Sequence, residues 1–212
     1  MAQRGSYAKG VAKREEILER ALDVIAREGY RGASVKEIAD AVGLSQAGLL
    51  HYFDSKEQLF TEIIRKRDEH DHVEFSISDG AAGREGLLRV IAHNAQVPGL
   101  VELFSRLSVE AADPAHPAHD YFLERSRGLR EGIAAATASS LPGGIDTDTL
   151  ARIVQAVVDG LQLQWLIDPS VDMVGTLEVL LDALSSISAP AGALDEALDG
   201  VLDDQRSAAT DA

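Results

Sequence analysis

The residues that could do chemistry fall into a few groups. Two histidine pairs have short spacing, His116-x-x-His119 with Asp113 and Asp120 beside it, and His70-Asp71-His72. Neither has a ligand spacing specific to a metal, so both read as solvent-facing polar residues and no metal is expected. There is no H-E-x-x-H, no G-x-S-x-G, no phosphate-binding loop and no dinucleotide fingerprint. The many carboxylates recur at the spacing of solvated helix faces. Neither an enzyme nor a cofactor follows from this. The densest mixture is "AVGLSQAGLLHYF", residues 41 to 53, where two glycines precede a histidine, a tyrosine and a phenylalanine in one run. Its chemistry is binding rather than bond-making.

The elements that position this run read as helices throughout, so the fold class is all-α. Ile17, Ala21, Leu22, Ile25 and Ala26 give one apolar face to a helix over about 10–28, ended by Gly29. Ser34-x-x-Glu37 is a capping box that opens a helix over 35–42. Asp54 and Ser55 start another that runs to about 71. Further helices are expected at about 83–96, 99–112, 116–139, 147–168 and 172–188, separated by glycine and proline signals. The expected organisation is a three-helix N-terminal helix-turn-helix domain, 1–60, a larger C-terminal helical domain, 61–190, and a weakly helical or disordered acidic tail, 191–212.

The chain has 212 residues, 45% hydrophobic, and no cysteine. No apolar run approaches the roughly 20 residues that span a bilayer. A cytoplasmic protein with no membrane partner is the expectation. The net charge is -15, unevenly placed. Up to Arg67 the chain holds 12 basic and 10 acidic residues; beyond it, 8 and 25. The first third can meet phosphate, and the acidic remainder fixes which face approaches. Arg4, Lys9 and Lys13 suit a basic arm.

Gly43 is the natural corner of the run. It can take the left-handed conformation that a helix exit needs. Ala39, four residues earlier, is small enough for a close crossing. Ile38, Val42, Leu44 and Leu49 point to a shared apolar seam, and Ser45 can cap the next helix. This is helix-turn-helix spacing. An ordinary helical hairpin inside an all-α core has the same spacing.

The run "SVKEIADAVGLSQAGLLHYFDSKEQLF", 34–60, resembles the DNA-binding domain of the tetracycline-repressor (TetR) family of bacterial transcription regulators. The matching features are Ser34, Ile38-Ala39, Val42-Gly43-Leu44-Ser45, His51-Tyr52-Phe53 and Ser55-Lys56-Glu57-x-Leu59. The resemblance covers about the first 65 residues. It implies that Ser34 and Lys56 meet phosphate, and both stand at helix starts, where free amides favour an anion. It further implies that Ser45, Gln46, Ala47, Gly48, Leu50, His51 and Tyr52 face base edges and flanking phosphates. Gln46 can pair with adenine, and Leu50 can touch a thymine methyl. Gly48 and Leu50 depart from the family, which often has Thr and Tyr there. Gly48 reads as a close approach of backbone to the groove, or as tolerated drift.

The helices 147–168 and 172–188 are apolar nearly all round, and such helices need cover on both sides. One reading is a four-helix bundle between two copies of the chain, through Val154, Val158, Leu161, Leu177, Leu181 and Leu184. The other is a fully internal helix pair. Between them and the helices of 83–139, His93, Phe104, Leu107, Tyr121, Gln162 and Trp165 could surround a small organic molecule; each also suits a core position. Together these features predict a sequence-specific transcriptional regulator, a homodimeric repressor of a palindromic double-stranded DNA operator, released by a small organic effector. The alternative is a helical small-molecule carrier or enzyme that uses the helix-turn-helix only for packing.

Overall fold

A computed structural model describes residues 2–75, 83–137 and 146–186. All regular structure among them is helical. In chain order the helices are α1 (Ala2–Gly32), α2 (Val35–Ala41), α3 (Gln46–Leu50), α4 (Lys56–Phe75), α5 (Gly83–Asn94), α6 (Pro98–Glu110), α7 (Ala118–Thr137), α8 (Thr147–Ile167) and α9 (Met173–Ser186). The expected acidic tail, 191–212, lies outside the described residues.

Helix α1 starts earlier than its apolar periodicity suggests. The expected basic arm is instead the beginning of this helix. Two of its cations are tied down by packing of α1 against the turn elements. Lys13 donates to the Val42 carbonyl at 3.2 Å and pairs with Glu16 at 2.9 Å. Arg14 donates to the Tyr52 carbonyl at 2.6 Å, pairs with Glu62 at 3.2 Å and lies 4.4 Å from the Phe53 ring centroid. Gly29 interrupts the helix as predicted, at φ 73° and ψ 165°, but a further turn runs on to Gly32.

The core falls into two parts, and the division is not at residue 60. One part joins α1–α4 to α6 and α7: Ile17, Ile25, Ile38, Leu49, Phe53, Leu59, Ile63 and Ile64 pack with Leu103, Phe104, Leu107 and Tyr121. Helix α4 crosses the expected boundary without a break. The second part joins α5, α6, α8 and α9 through Ile91, Val101, Leu161, Trp165, Met173 and Leu177. Helix α6 belongs to both. Its start is pressed onto the end of α1, so closely that a Cβ at Gly99 would stand 2.4 Å from the Ile25 carbonyl oxygen. Only glycine fits there without moving one helix off the other.

Candidate nucleic-acid interface

The site is built from two caps and a corner. At the start of α2, Ser34 Oγ accepts from the Glu37 amide at 3.3 Å, and Glu37 Oε2 accepts from the Ser34 amide at 3.1 Å. The capping box expected from Ser34-x-x-Glu37 is therefore present. At the exit of α2, Leu44 N–H reaches the Ala39 carbonyl at 2.9 Å and Gly43 N–H reaches Asp40 at 3.2 Å. These are the two bonds of a Schellman motif, and Gly43 takes the required left-handed backbone at φ 68°. Ser45 then caps α3, its Oγ accepting from the Gly48 amide at 3.0 Å.

This geometry sorts the candidate DNA-facing residues. Ser34, Ser45, Gln46, Ala47, His51 and Lys56 are exposed. Gln46 and Ala47 form the first turn of α3 and His51 its C-cap, so they lie along one short helix. Lys56 opens α4, behind Ser55, whose Oγ accepts from the Gln58 amide at 3.0 Å. Gly48 and Leu50 are half-buried. A Cβ at Gly48 would stand 3.2 Å from Ser45 Oγ, so the missing side chain keeps room for the cap. Leu50 packs partly against the first core, as does Tyr52. Arg14, which the sequence does not single out, braces the exit of α3 through the Tyr52 carbonyl. Its neighbours along the chain carry no aromatic residue, so nothing local in the sequence marks this contact.

The six residues expected around an effector are spread over both cores. Phe104, Leu107 and Tyr121 are in the first core, Trp165 is in the second, and Gln162 is buried. His93 lies against Phe75, ring centroids 5.5 Å apart. They lie on separate helices, and the rotation of each helix about its axis decides which ones meet. A cleft of about 270 Å³ does open between α6, α7 and α8, and Phe104, Phe122, Ser126, Gln155 and Asp159 are among its lining residues. Beside it is a buried charge cluster that the sequence reading missed. Asp68 of α4 pairs with Arg67 at 2.6 Å and with Arg125 of α7 at 2.7 Å, and accepts a hydrogen bond from the Tyr121 hydroxyl. Burial alone would raise the Asp68 carboxyl. The two guanidiniums and the hydroxyl outweigh it and hold the carboxyl well below the usual range.

The residues expected at a contact between copies are also redistributed. Val154, Leu161 and Leu177 are buried within the single chain, the latter two in the Trp165 core. Val158, Leu181 and Leu184 are half-buried. The outward apolar residues of α8 and α9 are Ile153, Leu163, Ile167 and Val179. Among the described residues, no group of three histidine, aspartate or glutamate side chains is placed to hold a metal. No described helix is long and apolar enough to cross a membrane.

Known proteins share this arrangement. The family model for bacterial regulatory proteins of the tetR family matches residues 17–63. The HTH-type transcriptional regulator PksA of Bacillus subtilis is 28% identical over 166 residues, 74% of this chain and 80% of that protein. The HTH-type transcriptional repressor KstR2 of Rhodococcus jostii is 31% identical over 106 residues, 50% of this chain and 46% of that one. The crystal structure of a transcriptional regulator from Rhodococcus sp. Rha1 superposes with a TM-score of 0.63 at 23% identity, covering 81% of this chain and 95% of the other.

Proposed function

This chain belongs to the tetR family of bacterial regulatory proteins, and from that premise we propose how its DNA-binding, repressor-type architecture works. Helix α3 enters the major groove, with Gln46, Ala47 and His51 meeting base edges and flanking phosphates. The free amides at the starts of α2 and α4, with Ser34 and Lys56, hold the phosphates on either side. The observation that carries this reading is the Schellman corner at Gly43 between two capped helices, which leaves the polar face of α3 exposed. A core hairpin of the same spacing would have buried it.

The functional unit is a homodimer, since one five-residue helix reads too little sequence alone and a palindromic operator matches two-fold symmetry. The outward apolar faces of α8 and α9 form the contact. A small organic ligand in the C-terminal helices releases the operator. Two couplings support that role: α4 runs from Lys56 to the buried Asp68 fixed by α7, and α6 is locked onto α1 at Gly99. A ligand that shifts α7 or α6 therefore shifts helices of the DNA-facing layer. A regulator of this kind works beside the chromosome, in the bacterial cytoplasm.

Selection of binding sites from random duplex DNA tests the reading. A two-fold symmetric consensus is expected, with affinity that falls steeply as salt rises. Failure to enrich any duplex at low salt would overturn it and favour a carrier or enzyme.

A further inference from the structure

We propose that the cleft between α6, α7 and α8 binds an organic ammonium, an apolar body carrying N–H donors, with Asp159 as its counter-ion. The inference builds on the reading that a small organic ligand governs this chain, and it names that ligand's charge. Helices α7 and α8 run antiparallel in a register fixed by two contacts. Gln155 Nε2 donates to Ser126 Oγ at 3.2 Å, and Arg130 pairs with Asp148 at 2.7 Å. One turn beyond Gln155, Asp159 therefore stands beside Phe122, and both line the cleft.

The polar lining is biased toward acceptors. Gln155 donates one amide N–H to Ser126 and its side chain also hydrogen-bonds Asp159, which leaves its carbonyl oxygen. With Nδ1–H donated to the Ala111 carbonyl at 2.8 Å, His119 keeps Nε2 as an acceptor. Asp159 is an acceptor in its ionised form. No lysine or arginine lines the cleft.

The charge balance of the junction points the same way. Its two guanidiniums are committed, Arg67 to Asp68 and Asp71, and Arg125 to Asp68. They also lie over the Phe104 ring, at 4.9 and 4.7 Å. Phe122 is the aromatic surface left for a ligand. Asp159 has no cation within 4.0 Å among the described residues. Burial pushes its carboxyl upward, against the pull of Arg125 and the Gln155 hydrogen bond. An unpaired acid in a half-apolar cleft costs stability, and an ammonium would remove that cost.

A charge series on one ring tests this: benzylammonium, benzyl alcohol and phenylacetate, titrated calorimetrically into the full chain at neutral pH. Benzylammonium should bind about tenfold or more tighter than phenylacetate, as one charge-assisted bond allows. Asp159→Asn should weaken benzylammonium by about tenfold and leave benzyl alcohol within about twofold. Circular dichroism and thermal melting establish that the variant is folded. A flat series, a preference for phenylacetate, or a folded variant that binds benzylammonium like the parent would overturn the proposal. Operator binding separates the two levels. Asp159-dependent binding that leaves operator affinity unchanged sinks the release mechanism and keeps the site. Release by other compounds, with no Asp159-dependent binding of benzylammonium, sinks the site and keeps the mechanism.

Discussion

Single residues decide what the DNA-facing surface does. Lys56 is exposed at the first position of α4, and a phosphate contact there would serve any duplex alike. Lys56→Ala should weaken all sequences about equally and lower the salt slope by about one. Gln46→Ala should instead relax preference at a single base position, at a cost of about 1 to 3 kcal/mol. Binding isotherms at several salt concentrations, on consensus and single-substitution operators, separate the two effects. Parent-like behaviour of both variants would remove α3 and α4 from the interface. Gly43 has a different role. A Cβ there would meet nothing within 4 Å, so its requirement is purely the positive φ of 68°. Gly43→Ala should therefore destabilise the fold by about 1 to 2 kcal/mol, and Gly43→Asn by less. Denaturation midpoints check that order, and equal stability of Gly43→Ala and the parent would contradict it. These residues were legible in the sequence because caps and corners are local: Ser34-x-x-Glu37 and Gly43-Leu44-Ser45 fix their own hydrogen bonds. Arg14 and Asp159 were not legible, because what they face is set by distant parts of the chain: a turn 38 positions on for Arg14, and α6 and α7 across the cleft for Asp159.

At the scale of elements, every expected helix from α1 to α9 is present among the described residues, and the expected ends of α7 and α9 lie outside them. Helix α1 starts earlier than expected. Its first turns carry no apolar stripe, so periodicity had nothing to report there. Helix rotation was the illegible quantity. Asp68 shows the consequence: on α4 it reads as one more surface acid, yet it is held between Arg67, Arg125 and Tyr121. Removing it leaves Arg125 without its ion pair and Arg67 with Asp71 alone, so Asp68→Asn should cost about 1 to 3 kcal/mol at neutral pH. The folded carboxyl titrates below its unfolded value of about 3.9. Its contribution is therefore complete above about pH 5 and is lost as pH falls through the depressed folded value. The stability gap between parent and variant should be flat from about pH 5 to 8 and narrow only in stronger acid. Urea titrations across that range measure it. A gap that already closed near neutrality would mean the carboxylate is not held ionised by its partners.

For the whole molecule, the question is what covers the far side of α8 and α9. Both helices read as apolar all round, which suggests a contact between copies and leaves an internal pair as the alternative. The structure separates their residues by exposure within one chain. Leu161 is 6% exposed and Leu177 fully buried within one chain. Leu163 is 50% exposed, Val179 70% and Ile167 86%. Leu161→Glu would place an unpaired charge in the Trp165 core, at a cost of several kcal/mol, and should unfold the C-terminal helices. Leu163→Glu and Val179→Glu leave that core intact. If their faces join two copies, the introduced charges meet across the two-fold axis and the product should be a folded monomer. A monomer places only one recognition helix at a palindrome, so operator binding should fall with the dimer while helicity and melting stay near the parent's. Sedimentation, circular dichroism and operator titration on the three variants distinguish the cases. Folded, dimeric, operator-binding Leu163→Glu and Val179→Glu would move the contact to another surface.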